Sequence, residues 1–342
     1  MKIVVAPDSF KECLDAAAVA AIMSDEISRR RPDAEIISCP LSDGGEGFCE
    51  IVTAALGGEI LHHVVTGPLS APVESSFGRV GDTAIIDAAS ACGLQMVPVL
   101  ERNPLVTTSR GLGELLLAAY GCGCTRVLVG VGGTATCDGG AGMMSVPGVK
   151  ELRGKVAVEI LADVDTPFIG PRGAVAVFAP QKGATPGMMD ALEERMQRCS
   201  QKILKETGKD ISTFPGAGAG GGISGALMAY LDGSLRSGAD ALLEMVKFED
   251  IVDGADFIIT GEGKSDCQTL SGKVPQKVLE HSVGVPVMLL SGKIEEKEAL
   301  LEAGFHKLVQ VTPEGLPMEV ALKAEVADLN LRKAVRTVLE SI

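Results

Sequence analysis

Apolar runs of strand length alternate with segments of helical period through most of this 342-residue chain. That alternation constrains the fold most, because parallel strands joined by covering helices are the arrangement that buries both patterns. Residues 2–6 read as a first strand. Asp15 is placed to cap the helix AAAVAAIMSDEISRRR, whose Arg29, Arg30 and Arg31 fall at the favourable C-terminal end. AEIISC at 34–39 reads as a second strand, and a helix after PLSDGGEGF runs to about Leu56. Strands at 59–65, 73–80 and 83–88 then follow without helices between them. Those at 126–131, 157–161 and 173–178 are interleaved with helices near 110–121 and 187–206. After Asp253 the alternation resumes, with strands at 256–260, 286–290 and 307–311, helices near 274–282 and 295–303, and a long helix from about 317.

The change of rhythm near residue 65 predicts an α/β fold of two α/β domains. One, residues 1–65 plus 254–342, is Rossmann-like, with a mainly parallel sheet and helices on both faces. The other, residues 66–253, is an inserted α/β domain with a mixed sheet. The length exceeds what one core usually supports. With 46% hydrophobic residues but only 3% aromatic and no Trp, the cores must be built from Val, Ile, Leu, Ala and Met. A net charge of -14 argues against nucleic acid or an anionic membrane surface as partner. The nine cysteines include no CxxC pair and no His at metal spacing, which suits reduced thiols in a cytoplasmic protein. Ile211–Leu231 carries no charge, but its six Gly and one Pro favour a glycine-rich loop and a buried helix over a membrane span. A homo-oligomer remains compatible with all of this.

Four predicted loops combine Gly with carboxylates or Lys: APDSFK (6–11), SDGGEG (42–47), GVGGTATCDGGAG (130–142) and TGEGKSDCQTLSGK (260–273). Glycines let backbone amides approach an anion, so phosphate binding is the natural reading. No Walker A spacing and no HRD loop occurs, however. Two overlapping GxGxxG matches, at Gly216, Gly218, Gly221 and at Gly220, Gly222, Gly225, follow STFP rather than a strand, which removes the context a dinucleotide site needs. Phosphoryl transfer requires anion-cradling amides, a cation on the phosphates, carboxylates for Mg²⁺ and a proton acceptor. The loops supply each, although Asp138 could equally cap a helix, Asp43 and Glu46 could do the same, and Lys11 could be an ordinary surface lysine. His62 and His63 sit in one strand and face opposite sides.

Together these loops resemble the bacterial glycerate kinase family. The stretches that carry the resemblance are APDSFK at 6–11, PLSDGGEGF at 40–48, GGTATCDGGAG at 132–142, ADVDTPFIGPRGAVAVFAPQKGA at 162–184, GAGAGGGISGAL at 216–227 and ITGEGKSDCQTLSGKVP at 259–275. The chain departs from that pattern at Glu12, Cys13 and Cys137, and in a shorter segment at about 146–160, where Pro147 should end a helix early. The resemblance implies ATP and Mg²⁺ as cofactors, phosphorylation of D-glycerate at the 2-hydroxyl, and an active site in the cleft between the two domains. A hydroxy-acid or nucleotide sensor and a dinucleotide-dependent oxidoreductase are the alternatives.

On this reading Asp138 orients or deprotonates the substrate hydroxyl, with Asp266 in reserve, and Asp43 with Glu46 holds Mg²⁺. Lys11 with Ser9 holds a carboxylate or phosphate, and Lys182 and Lys273 contact phosphate. Gly44, Gly45, Gly132, Gly133, Thr134, Gly139, Gly140, Glu262 and Gln268 complete the candidate substrate site.

Overall fold

The computed structural model describes residues 1–10, 13–42 and 47–340. Its strands are β1 Lys2–Val5, β2 Glu35–Ser38, β3 Glu59–Thr66, β4 Pro72–Val80, β5 Thr83–Asp87, β6 Arg126–Gly130, β7 Ala157–Leu161, β8 Ser234–Arg236, β9 Phe257–Ser265, β10 Val287–Ile294 and β11 Lys307–Gln310. The chain forms two compact units, one of Met1–Asp43 with Ala239–Ile342 and one of Gly44–Gly238. These divide the chain at 43/44 and 238/239, against the 65/66 and 253/254 expected. The difference follows from pairing: β3 hydrogen-bonds along its whole length to β4, so it belongs with the mixed sheet.

The discontinuous unit carries a five-stranded sheet of order β11-β10-β9-β1-β2, parallel at every pairing. β1 and β9 are neighbours whose continuations run to opposite sides, β1 towards β2 and β9 towards β10. The sheet therefore has a topological switch point between them, where ligands bind in open α/β sheets. Its central strands are buried on both faces, which explains their unbroken apolar sequences. On one face Ile3, Val5, Phe257, Ile259 and Leu290 pack with Val19, Met23 and Ile27 of the helix Ala16–Arg30 and with Leu331 and Val335 of the helix Ala324–Leu339. The first of these helices starts where Asp15 Oδ1 accepts the Ala18 amide at 2.7 Å, and Arg29 and Arg30 end it.

The continuous unit holds a six-stranded sheet of order β3-β4-β5-β6-β7-β8. The β3-β4-β5 pairings are antiparallel and the rest parallel. Its core is Val, Ile, Leu, Ala and Met around Phe77 and Phe168.

Three element assignments are corrected. The stretch 173–178 is not a strand: Ala174–Phe178 is a helix, entered from the extended Gly173. A short apolar run carries no periodicity that separates the two states, and the sheet edge beside β7 is taken by the polar Ser234–Arg236. The long helix from 317 is two, Met318–Ala321 and Ala324–Leu339, broken where Lys323 is extended at φ -70° and ψ 125°. β9 and β10 also run past their apolar cores to Ser265 and Ile294, because their Gly and Lys residues continue the ladder. The uncharged stretch at 211–231 gives a helix of only eight residues, Ile223–Tyr230, all buried. Among the described residues no helix is long and apolar enough to cross a membrane.

Candidate active site

The carboxyl edge of the parallel sheet opens into a cavity of about 750 Å³, lined by residues that follow β1, β9, β10 and β11. That size suits a nucleotide-sized ligand. Asp8 and Ser9 come from the end of β1, Glu262 and Lys264 from β9, Lys293 from β10, and Thr312 from beyond β11. The Ser9 amide donates to Asp8 Oδ1 at 2.6 Å. Lys273, just before the helix Val274–Glu280, also lines the cavity.

Lys264 and Lys293 occupy paired positions on the parallel strands β9 and β10, so two cations emerge side by side at the sheet edge. Like charges so placed repel. Glu295 relieves this by bonding Lys293 at 2.6 Å and Lys264 at 3.0 Å, and Asp266 takes Lys264 at 3.1 Å. These bonds raise the Lys264 pKa, Glu295 contributing most. The strands can lie this close because Gly292 has no side chain: a Cβ there would stand 2.4 Å from the Gly263 carbonyl oxygen. Sequence reasoning missed both lysines. Their signal was a shared pattern, an apolar strand ending in Gly-Lys, present in TGEGK and again in LSGK.

Glu262 is a buried carboxylate of this cavity, 5% exposed, as is Asp8 at 7%. Its Oε1 accepts from the hydroxyls of Thr269 at 2.5 Å and Ser265 at 2.9 Å. Its Oε2 has Lys273 Nζ at 3.8 Å, beyond hydrogen-bond reach, and so retains acceptor capacity. Burial pushes its pKa above the usual carboxylate range, against the pull of Thr269 and Lys273.

The other predicted residues distribute as follows. Lys11, Asp43, Gly44, Gly45 and Glu46 lie outside the described residues. Asp266 bonds Lys264 and the Gln268 amide, forming the turn before Lys273, while Gln268 itself is exposed; neither lines the cavity. In the continuous unit, Asp138 is buried with both oxygens engaged. Oδ1 accepts the Gly140 amide at 3.0 Å. Oδ2 accepts the Ser109 amide and hydroxyl, each at 2.9 Å, and the Gly142 amide at 3.1 Å. Lys182 is 4% exposed and donates to Thr136 O at 2.6 Å and Thr134 Oγ1 at 3.1 Å. Burial lowers its pKa.

Gly132 and Gly133 are exposed, Gly133 at φ +67°. Gly139 and Gly140 are buried. Their amides already bond Gly221 O and Asp138 Oδ1, and a Cβ on Gly140 would meet the Ala226 methyl at 2.5 Å. These two glycines permit packing and leave no amide open to a ligand.

Among the described residues no group of three or more His, Cys, Asp or Glu could hold a metal ion, and all nine cysteines are free thiols. Burial pushes Cys39 and Cys92 up to about 12, which makes them poor nucleophiles and metal ligands.

The glycerate kinase family model matches residues 3–154 and 145–342, so the two matched pieces meet where the shorter segment at 146–160 was noted. A glycerate kinase from Bacillus subtilis is 40% identical, with 100% of this chain and 98% of the relative covered. A glycerate 2-kinase from Escherichia coli is 40% identical over 80% of each. Among solved structures, one from Salmonella typhimurium LT2 assigned as glycerate kinase 2 superposes with a TM-score of 0.83 at 35% identity, covering 100% of this chain and 98% of the other.

Proposed function

The chain belongs to the glycerate kinase family, and from that premise we propose that it transfers the γ-phosphoryl group of ATP to the 2-hydroxyl of D-glycerate, giving 2-phosphoglycerate and ADP. The observation that carries the reading in this molecule is the switch-point cavity with Lys264, Lys273 and Lys293 around Glu262. Phosphoryl transfer asks a protein for position and for positive charge at the phosphates, with little covalent chemistry of its own. Lys264 and Lys293 meet the phosphates, which take over the place Glu295 holds between them. Ser9 and Lys11 hold the acceptor's carboxylate. Glu262 Oε2 accepts the hydroxyl proton while the hydroxyl oxygen bonds to the γ-phosphorus and the bond from that phosphorus to the β,γ-bridging oxygen breaks. Lys273 keeps Glu262 in place.

Mg²⁺ carried on ATP needs only one or two protein carboxylates beside phosphate oxygens. Asp8, lining the same cavity, would hold the ion, which when bound would supply positive charge to the phosphates. Asp138 anchors the 132–142 loop through its four hydrogen bonds.

Incubation with Mg-ATP and D-glycerate, followed by enolase without a mutase, tests the reading. ADP release with enolase turnover is expected. ADP release without it would move the phosphate to another hydroxyl, and glycerate binding without ADP release would favour a sensor.

A further inference from the structure

We propose that Asn330 reads the base of the nucleotide donor and selects adenine over guanine. The inference rests on the ATP reading above and names the part of the cavity that takes the base.

The helix Ala324–Leu339 packs its apolar stripe on the sheet through Ala327, Leu331, Ala334, Val335 and Val338. Asn330 interrupts that stripe. It is 6% exposed, lines the cavity, and among the described residues its side-chain amide has no hydrogen-bond partner. The amide is not one of the sealed, unpaired polar atoms of the fold; it borders the cavity, where water or a ligand can supply the partner the protein does not. The other amide of the cavity wall shows the contrast: Gln310 accepts the Ile294 amide at 3.2 Å and donates to Thr312 O at 2.9 Å, so both ends are used within the fold.

The surroundings specify the ligand class. Val311, Leu316, Met318, Ala321 and Leu322 line the same cavity, an apolar lining suited to the faces of a heteroaromatic ring. A carboxamide presents one acceptor and one donor side by side, which matches the N6 amine and N7 of adenine as a bidentate pair. On the corresponding edge guanine offers two acceptors, O6 and N7, so the amide oxygen would face O6. The lysines of the cavity supply the charge a triphosphate requires, and a base site within the same walls completes a nucleotide site.

The test compares the unaltered protein with Asn330→Leu and Asn330→Asp, measuring KM for ATP, GTP and glycerate and binding of ADP by calorimetry. Asn330→Leu fills a core position with an apolar side chain of similar size, so it should melt no lower than the unaltered protein, and that melt verifies folding. The expected result is a rise of about 5- to 150-fold in KM for ATP, the range of one bidentate base contact, with the glycerate KM unmoved and the ATP-over-GTP preference flattened. Weakened ADP binding in both variants supports the proposal independently of turnover. An unchanged ATP KM and nucleotide preference in a folded, active variant would overturn the assignment of Asn330 alone. A rise confined to the glycerate KM would overturn it too, by giving this wall to the acceptor. No ADP release and no ADP binding by the unaltered protein would overturn the kinase reading on which it rests.

Discussion

At the scale of single residues, the site is governed by which polar atoms the fold has already used. Asp138 and Glu262 are both buried acids. Asp138 has both oxygens engaged, by Ser109 and by the amides of its own loop, whereas Glu262 keeps one oxygen for the cavity. Glu262→Gln is therefore expected to lower kcat by roughly 10²-fold or more, the usual contribution of a general base, with KM for ATP little changed. In the unaltered enzyme the acid limb of kcat should lie above the ordinary carboxylate range, since burial raises this group, and the limb should vanish in Glu262→Gln. The sign for stability follows from the same shift. The folded state holds the proton more tightly than the unfolded chain, so ionised Glu262 opposes folding as pH rises through its raised pKa. Glu262→Gln should accordingly melt higher than the unaltered protein near neutrality, and thermal melts at pH 5 and pH 7.5 would show the gap widening with pH.

Between elements, two contacts set the geometry that matters. The first is the approach of β9 and β10 at Gly292. Gly292→Ala puts a methyl 2.4 Å from a backbone oxygen, which forces the strands apart; overpacking of this kind costs about 1–3 kcal/mol. Activity at a temperature where the variant is fully folded should fall further than that stability loss explains, because Lys264 and Lys293 move with the strands. Paired melting and kcat measurements separate the two effects.

The second contact lies between the helices Ala16–Arg30 and Ala324–Leu339, where Glu26 accepts from Arg336 Nε at 2.6 Å and Arg30 Nε at 3.1 Å. Arg336 above all holds Glu26 down to about 2. A depressed carboxylate stabilises above its unfolded pKa and loses that contribution as pH falls through the folded value. Glu26→Gln should thus narrow the fall in melting temperature between pH 5 and pH 2.5.

The sequence made most of the parallel strands legible, because strands buried on both faces are written as unbroken apolar runs, as in IVV and FIIT. It did not reveal where β9 and β10 stop, since Gly-Glu-Gly-Lys looks like a loop and only the neighbouring strand makes it part of a ladder. It misplaced Gly139 and Gly140 because glycine that approaches a ligand and glycine that lets two chain segments pack are written with the same letter. Asn330 carried a readable signal, a polar residue on the apolar stripe of Ala327, Leu331 and Ala334, but its lack of a partner belongs to tertiary structure alone.

For the whole molecule, connectivity decides what can stand alone. The continuous unit, Gly44–Gly238, contains all six strands of its sheet and its own core. A fragment of residues 44–238 is expected to fold cooperatively, seen as a single sigmoidal melt and dispersed amide resonances. A fragment of residues 239–342 lacks β1 and β2, leaving one side of β9 unpaired, and should not show such a melt; a cooperative transition there would refute the requirement for β1.

The position of β1 also has a history in time. It is an interior strand of its sheet, flanked by β2 and β9, yet about 250 residues separate it from β9. At ribosomal speeds of about 5–20 residues per second, that separation is roughly 10–50 s of synthesis. Throughout that interval the apolar residues Ile3, Val4 and Val5 have one of their two strand neighbours at most, while the intervening unit is complete and free to fold. The growing chain thus carries an adhesive, half-paired strand for most of its production, and chaperones that shield nascent apolar segments should engage it more than they engage a rearranged gene in which residues 1–43 are moved to follow residue 342.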